Sequence, residues 1–528
     1  MRKQTKLVAA LSATALLAIG ASAVSFAAGW NNTTGTWQYL DNDGNPVADS
    51  WKKSGDYWFY LGSDGNMATN EVVQKNEDFY YVNQDGAMVT NQWVAFDAVS
   101  DDSNADHRWM YFGADGKAYR DRKDGITISD IKTINGKKYV FDQEGYMLYG
   151  WLSKDASTLQ LTDDAWAEAN YYYGGYDDGS AQHGWVQLNV SVNGEDTTAW
   201  FYLDDNGKIT KNTKKTINGA TYYFRQDGRM IEDYSNANKV PVASDNVFKP
   251  ATASSNNVVY VNGDGGARKN QWIWAVPSKD LNDDDYYDDS YSWWWADNSG
   301  KVVKNTVKRI KSKFYAFDKL GRMLSGLQVS SNGRNGFVAK NTAGDSIGDM
   351  ELEDYLGSNF GGDIYYFSGD SEKDGSRKTG YQKVSFADDD YQMYFLNNGK
   401  AANDFQSKIK KYVNKGVVLA ADNDTSNYGY IAVQAANKNK LAGNTTVVEY
   451  ANGTTTPTGT NLLVNAAGTV QKNKFNLRDV NDVYYVTDHD GVIVYANYKK
   501  LYTSKGAGHD VNSVSITRNG KTDTFWTE

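Results

Sequence analysis

The sequence predicts an all-β protein, a solenoid of β-hairpin repeats with inserted loops, arranged as two arrays and a degenerate C-terminal β region. Three observations carry that reading. The 528 residues include 73 aromatic side chains (16 Trp, 38 Tyr, 19 Phe) but five Pro and no Cys. Triplets of aromatic or apolar residues recur, each followed by a polar turn ending in Asp-Gly or a close variant. The turn glycines Gly44, Gly65 and Gly86 stand 21 residues apart, and the same spacing separates Gly207 from Gly228 and Gly300 from Gly321.

In chain order, the first segment, MRKQTKLVAALSATALLAIGASAVSFAAGW, has a basic start, an apolar stretch from Leu7 to Ile19 and small-residue sites around Ala23 and Ala27. It reads as a signal peptide over 1–28, because the apolar stretch is shorter than the ~20 residues of a spanning helix. The first array, 29–235, contains WQYLDNDGNPVADSW from Trp37, WFYLGSDGNMATN from Trp58 and FYYVNQDGAMVTNQW from Phe79. The unit returns from Trp109, Lys138, Trp200 and Tyr222. Each triplet has strand propensity, with Trp58 and Tyr60 on one face and Phe59 and Leu61 on the other. Gly62-Ser63-Asp64-Gly65 is turn chemistry, where Gly65 takes a positive φ without steric cost. One such hairpin is marginal alone, whereas a row of them buries each aromatic face against the next.

Residues 236–257, with Pro241 and Pro250 among Ser and Asn, read as a linker. The second array, 258–400, has units from Val259, Trp293, Phe314 and Met393. Stretches 96–107, 152–169 and 329–362 are polar insertions, expected as long hairpins or loops on one side of the array. Over 401–528 the unit survives only as KYVNKGVVL, LLVNAAGTVQKN and YYVTDHDGVIVYAN, which predicts degenerate repeats or a small β-domain.

Composition excludes several functions. Without Cys there is neither a disulfide framework nor a thiolate zinc site. Net charge is −10, and without Arg2, Lys3 and Lys6 it becomes −13, from 52 Lys and Arg against 65 Asp and Glu. That balance disfavours nucleic acid and anionic bilayers and leaves a cationic partner open. A mean hydropathy of −0.65 argues for thin aromatic modules rather than thick cores. His107, His183, His489 and His509 show no metal-ligand spacing, and Asp283-Asp284-Asp285 and Asp388-Asp389-Asp390 lack the ordered spacing of a calcium loop. No catalytic residue, cofactor or metal is expected.

The stretch from Ser50 to Asn70, SWKKSGDYWFYLGSDGNMATN, resembles the cell-wall-binding repeat family, which includes choline-binding modules of Gram-positive surface proteins and related glucan-binding repeats. The resemblance implies a left-handed superhelix of hairpins of about 20 residues each. It also implies noncovalent attachment to wall polymers and ligand sites between successive repeats. In choline-binding members a quaternary ammonium sits among rings of adjacent hairpins, held by cation–π attraction of roughly 0.5–2 kcal/mol per ring. By motif, the implied cage uses Trp51, Trp58 and Tyr60 with Tyr81 or Trp93 from the next unit. A second uses Trp200 and Tyr202 with Tyr222 or Tyr223. Many units lack the leading Gly-Trp pair or replace Trp, so a platform that stacks on sugar rings stays open beside the cage.

The expectation is a secreted cell-surface protein, not an enzyme, that holds choline-bearing teichoic acid or a wall polysaccharide and has no membrane insertion once the signal is cleaved. The alternative is a wall hydrolase, an amidase or glycosidase, with its site in the insertions or the C-terminal region.

Overall fold

In the computed structural model the triplets pair into hairpins: Ser50–Ser54 runs antiparallel to Tyr57–Leu61 with Trp51 opposite Tyr60, and Glu71–Lys75 runs antiparallel to Asp78–Val82 with Val73 opposite Tyr80. The structure describes residues 28–33, 35–97, 106–122, 130–153, 161–232, 254–255, 257–369, 374–422, 427–450, 456–506, 508 and 512–528. The expected signal peptide, except Ala28, and most of the expected linker lie outside these. The described chain is nearly all β, with helix limited to short segments such as Asp283–Tyr287 and Leu352–Gly357.

The chain forms two compact units, divided between Ile231 and Glu232. Among the described residues of the first, all eight sheets are two-stranded and antiparallel. At several turns the glycine amide donates to the carbonyl three residues before it, as at Gly44, Gly65, Gly86 and Gly207. At Gly62–Gly65, the Gly65 amide donates to the Gly62 carbonyl at 2.9 Å and the Asp64 carboxylate accepts from the Asn66 amide at 2.9 Å. The limb after the turn then reaches back to the preceding hairpin. Met67 donates its amide to the Trp37 carbonyl at 2.7 Å, Met88 to Trp58 at 2.8 Å, Met147 to Trp109 at 2.7 Å and Met230 to Trp200 at 2.7 Å. These bonds join hairpin to hairpin at a constant register, which two strands alone would leave undefined.

The same limb explains the pairing of Met with the next turn glycine. Gly86 has φ +77°, and a Cβ there would lie 2.7 Å from Cε and 2.8 Å from Sδ of Met67. The thioether of one repeat fills the space that the next repeat's glycine leaves, as a flexible apolar side chain does well.

In the second unit, hairpins continue from Gln271–Ala275 with Ser292–Ala296 to Gly326–Ser330 with Asp363–Phe367. The insertion between the last pair carries Leu352–Gly357, and its Tyr355 and Leu356 enter a larger core that extends from Leu327 to Val464. A five-stranded sheet follows, in the order Gly380–Phe386, Asp389–Phe395, Val417–Val418, Lys411–Asn414, Asp404–Gln406. It draws strands from both sides of Ala401, so the boundary expected there runs inside one sheet. Two three-stranded sheets and the hairpin Asn512–Arg518 with Lys521–Thr527 complete the unit. The insertion expected at 96–107 begins and ends inside a long hairpin, Gln92–Asp97 with His107–Phe112.

Gly86→Ala should force a left-handed backbone on alanine and push it into Met67, at a local cost of roughly 1–3 kcal/mol. Exchange of the Met88 amide in the full chain should then speed up by about one to two orders of magnitude. An unchanged exchange rate would show that the Met–Gly contact does not secure the junction between hairpins.

Candidate functional site: tryptophan-centred aromatic boxes

Side chains alternate across a strand, so adjacent residues of a hairpin's second strand face opposite neighbours. Tyr60, five residues before Gly65, faces its own hairpin's Trp51, with ring centroids 5.1 Å apart and planes at 60°. Phe59, one residue earlier, faces back to Trp30 at 5.3 Å and 74°. The next hairpin repeats this: Tyr80, six residues before Gly86, faces back to Trp51 at 5.1 Å and 62°. Trp51 thus meets one ring of its own hairpin and one of the following hairpin, both at steep angles, and the three planes make the walls of a corner.

Five further tryptophans do the same among the described residues. Trp93 meets Tyr111 at 5.1 Å and Tyr139 at 5.0 Å. Trp185 meets Tyr202 at 5.2 Å and Tyr222 at 4.7 Å. Trp272, in the second unit, meets Trp295 at 5.2 Å and Tyr315 at 4.8 Å. Trp30 meets Tyr39 and Phe59, at 5.5 and 5.3 Å. Trp151 meets Tyr172 at 4.7 Å and Phe201 at 5.5 Å. This last box is filled: Trp166, from the 3-10 turn Asp163–Glu168 in the insertion, lies 6.1 Å from Trp151 and 6.0 Å from Phe201 and is 4% exposed. An aliphatic floor supports several boxes, with Val73 beneath Trp51 and Ile217 beneath Trp185.

The residues expected from sequence fall into place unevenly. Trp51 and Tyr60 come together, as do Tyr202 and Tyr222, but the centre of the latter box is Trp185. Trp200 meets Trp185 edge-on at 6.4 Å. Tyr81 does not join Trp51; it faces forward to Phe96 and Phe112 at 5.5 and 6.0 Å, and Tyr80 takes the position assigned to it. Trp93 is the centre of its own box rather than a wall of the one at Trp51. Trp58 shares the face of Trp51 and Tyr60 but stands two residues outward, is 41% exposed, and has no ring partner among the described residues. Tyr223 is buried and faces away from the box that Tyr222 closes. The signal for the missed rings was present: the closing ring stands six residues before its turn glycine, the opening ring five, so they are 20 residues apart where glycines are 21 apart.

The walls are neutral. Burial first, with the nearby Asp49 carboxylate adding to it, raises the Tyr60 phenol above its ordinary pKa of 10.0. Burial likewise raises Tyr80, Tyr111, Tyr139, Tyr172 and Tyr315. The acidic clusters lie elsewhere: Asp285 pairs with Arg322 at 2.8 Å and Asp390 with Lys383 at 2.6 Å. Among the described residues one trio of potential metal ligands converges, Asp488, His489 and Asp490, and Asp490 is already paired with Lys438 at 2.5 Å.

Comparison with known proteins bears on the repeat. A family model described as choline-binding repeat matches residues 45–87, the stretch holding Trp51, Tyr60 and Tyr80. The resemblance seen in the sequence is therefore confirmed, and this stretch is choline-binding repeat sequence. The chain is similar to Glucosyltransferase-S of Streptococcus mutans, 32% identical over 173 residues that make up 31% of this chain and 10% of that protein. It is also similar to Glucosyltransferase-I of Streptococcus downei, 25% identical over 322 residues, or 58% of this chain and 17% of that protein. The chain thus spans a small part of these relatives' length. Similar solved structures include the modular autolysin LytC of Streptococcus pneumoniae, at 18% identity over 58% of this chain and 54% of that one, TM-score 0.30. Another is choline-binding protein F of Streptococcus pneumoniae, at 16% identity over 75% of this chain and 100% of that one, TM-score 0.22.

A raised phenol pKa means that folding holds the phenolic proton more tightly. The stability these six tyrosines contribute is present below pH 10 and is lost as pH rises through their folded values. Ultraviolet titration of the full chain should show a class of tyrosines ionising above pH 10, joined to the rest once the protein is unfolded in denaturant. A single unperturbed class in the folded protein would contradict buried box walls.

Proposed function

We propose that this chain is a binding protein of the bacterial surface that attaches noncovalently to a wall polymer through its aromatic boxes, with choline-bearing teichoic acid as the preferred partner. The observation that carries this reading is the Trp51 box: three rings from two successive hairpins, at steep mutual angles, inside a stretch of choline-binding repeat sequence. Neutral rings set at an angle offer several negative π faces to one compact cation, worth roughly 0.5–2 kcal/mol per face depending on desolvation. The net charge of −10 favours a cationic partner in the same sense.

We infer further that each unit winds as a left-handed hairpin solenoid and that the chain is exported with residues 1–28 removed. The backbone bonds from each trailing limb to the preceding hairpin support the first inference, and the basic-then-apolar N-terminal segment supports the second. A polyglucose glycan is the second ligand reading. It is favoured by the similarity to stretches of two streptococcal glucosyltransferases, and it would use the same rings as stacking platforms.

The full chain should be retained on isolated choline-bearing walls and released by free choline. Trp51→Ala should weaken choline binding at that box by roughly 3- to 30-fold, the equivalent of one lost ring contact, and Trp58→Ala should weaken it less, as Trp58 stands outside the corner. Retention unaffected by choline but reversed by a soluble glucan would replace the ammonium reading with the glycan one. Zymography of the full chain on purified walls should give no clearing, and a cleared zone would make the protein a hydrolase.

A further inference from the structure

The boxes share a wall plan but differ in one position, the residue paired across the strands with the closing ring and so pointing into the same box. At the Trp51 box this residue is Val73, opposite Tyr80 and buried. At the Trp185 box it is Lys215, opposite Tyr222, and at the Trp30 box it is Lys52, opposite Phe59. The two lysines behave alike. Nζ of Lys215 lies over the Tyr202 ring, 4.9 Å from its centroid, and Nζ of Lys52 lies over the Tyr39 ring at 4.8 Å. In both cases the covered ring is the opening one of the box, on whose face cation–π attraction would seat a ligand's ammonium. The Trp51 box differs. The lysine over its opening ring, Lys75, stands two residues beyond Val73 on the strand, keeps 6.0 Å from the Tyr60 centroid, and donates from Nζ to the Asp49 carbonyl at 2.7 Å.

We propose that Lys215 is an internal cation that occupies the ammonium position of the Trp185 box, so that this box rejects the quaternary ammonium that the Trp51 box accepts; Lys52 does the same at the Trp30 box. The proposal rests on the quaternary-ammonium reading of the Trp51 box. A tethered ammonium competes at the high effective concentration of an intramolecular group. A ligand cation on the same ring must either expel it or share the face with a like charge. At these three boxes the residue opposite the closing ring is then specificity-determining: Val73 leaves the position open, and Lys215 and Lys52 fill it. The number of choline-responsive boxes is therefore smaller than the number of aromatic corners.

The test labels the full chain with fluorotryptophan and follows the fluorine NMR signals of Trp51 and Trp185 during titration with choline chloride, each signal assigned from its Trp→Phe variant. In the unmodified protein Trp51 should respond at a choline concentration about tenfold or more below that needed at Trp185. Lys215→Val, which copies the Trp51 box, should bring the Trp185 response down to the Trp51 range. Lys215→Arg, which keeps the cation, should leave Trp185 as it was. Equal responses in the unmodified chain would overturn the proposal, as would a Trp185 signal unmoved by Lys215→Val while Trp51 responds. If neither tryptophan responds in any variant, the quaternary-ammonium reading of the function falls, and this inference with it.

Discussion

A two-stranded hairpin cannot cover its own aromatic faces, and the rest of this structure depends on how that deficit is met. Each second strand turns alternate residues to opposite sides, so Phe59 serves the hairpin before it while Tyr60 serves its own tryptophan. The preceding tryptophan is completed only when the next hairpin arrives. Backbone hydrogen bonds from Met67 to Trp37 and from Met88 to Trp58 set the distance and register at which it does so. Burial of one repeat and completion of an aromatic corner in the previous repeat are the same packing event.

That coupling gives the boxes their uniformity and limits their use. The walls come from positions that the fold has to fill with large apolar rings, so a corner of three aromatics arises at each of the six tryptophans Trp30, Trp51, Trp93, Trp151, Trp185 and Trp272. Whether it can receive a ligand is decided by what else enters. At Trp151 an insertion delivers Trp166 and the corner becomes core. At Trp185 and Trp30 a lysine lies on the opening ring, and at Trp51 a valine supports the corner from beneath. Tyrosine suits the walls because its ring buries area while burial keeps its hydroxyl protonated, leaving a neutral face toward a cation.

The hairpins themselves were legible. The Trp58–Tyr60 triplet, the Asp64-Gly65 turn and the 21-residue spacing require a strand, a reversal and a repeat, and each follows from local propensity and from the positive φ that glycine alone accepts readily. Trp51 with Tyr60 was legible for the same reason, since cross-strand partners follow from turn length. Tyr81 was misplaced because carrying the period forward unchanged places like beside like. The strand pleat instead sends Tyr81 away from Trp51 and Tyr80 toward it. The role of 152–169 was not legible, since nothing local in Asp163-Asp164-Ala165-Trp166 says which neighbour its tryptophan enters.

By itself, then, the sequence determined the repeat, the hairpin and the turn chemistry, because all of these are set by residues within one 21-residue period. Only the tertiary structure decided which rings close each corner and which corners are filled from within. Those outcomes depend on contacts between hairpins, where a shift of one residue reverses the face a side chain presents and a lysine on the facing strand can reach a tyrosine of the hairpin before it.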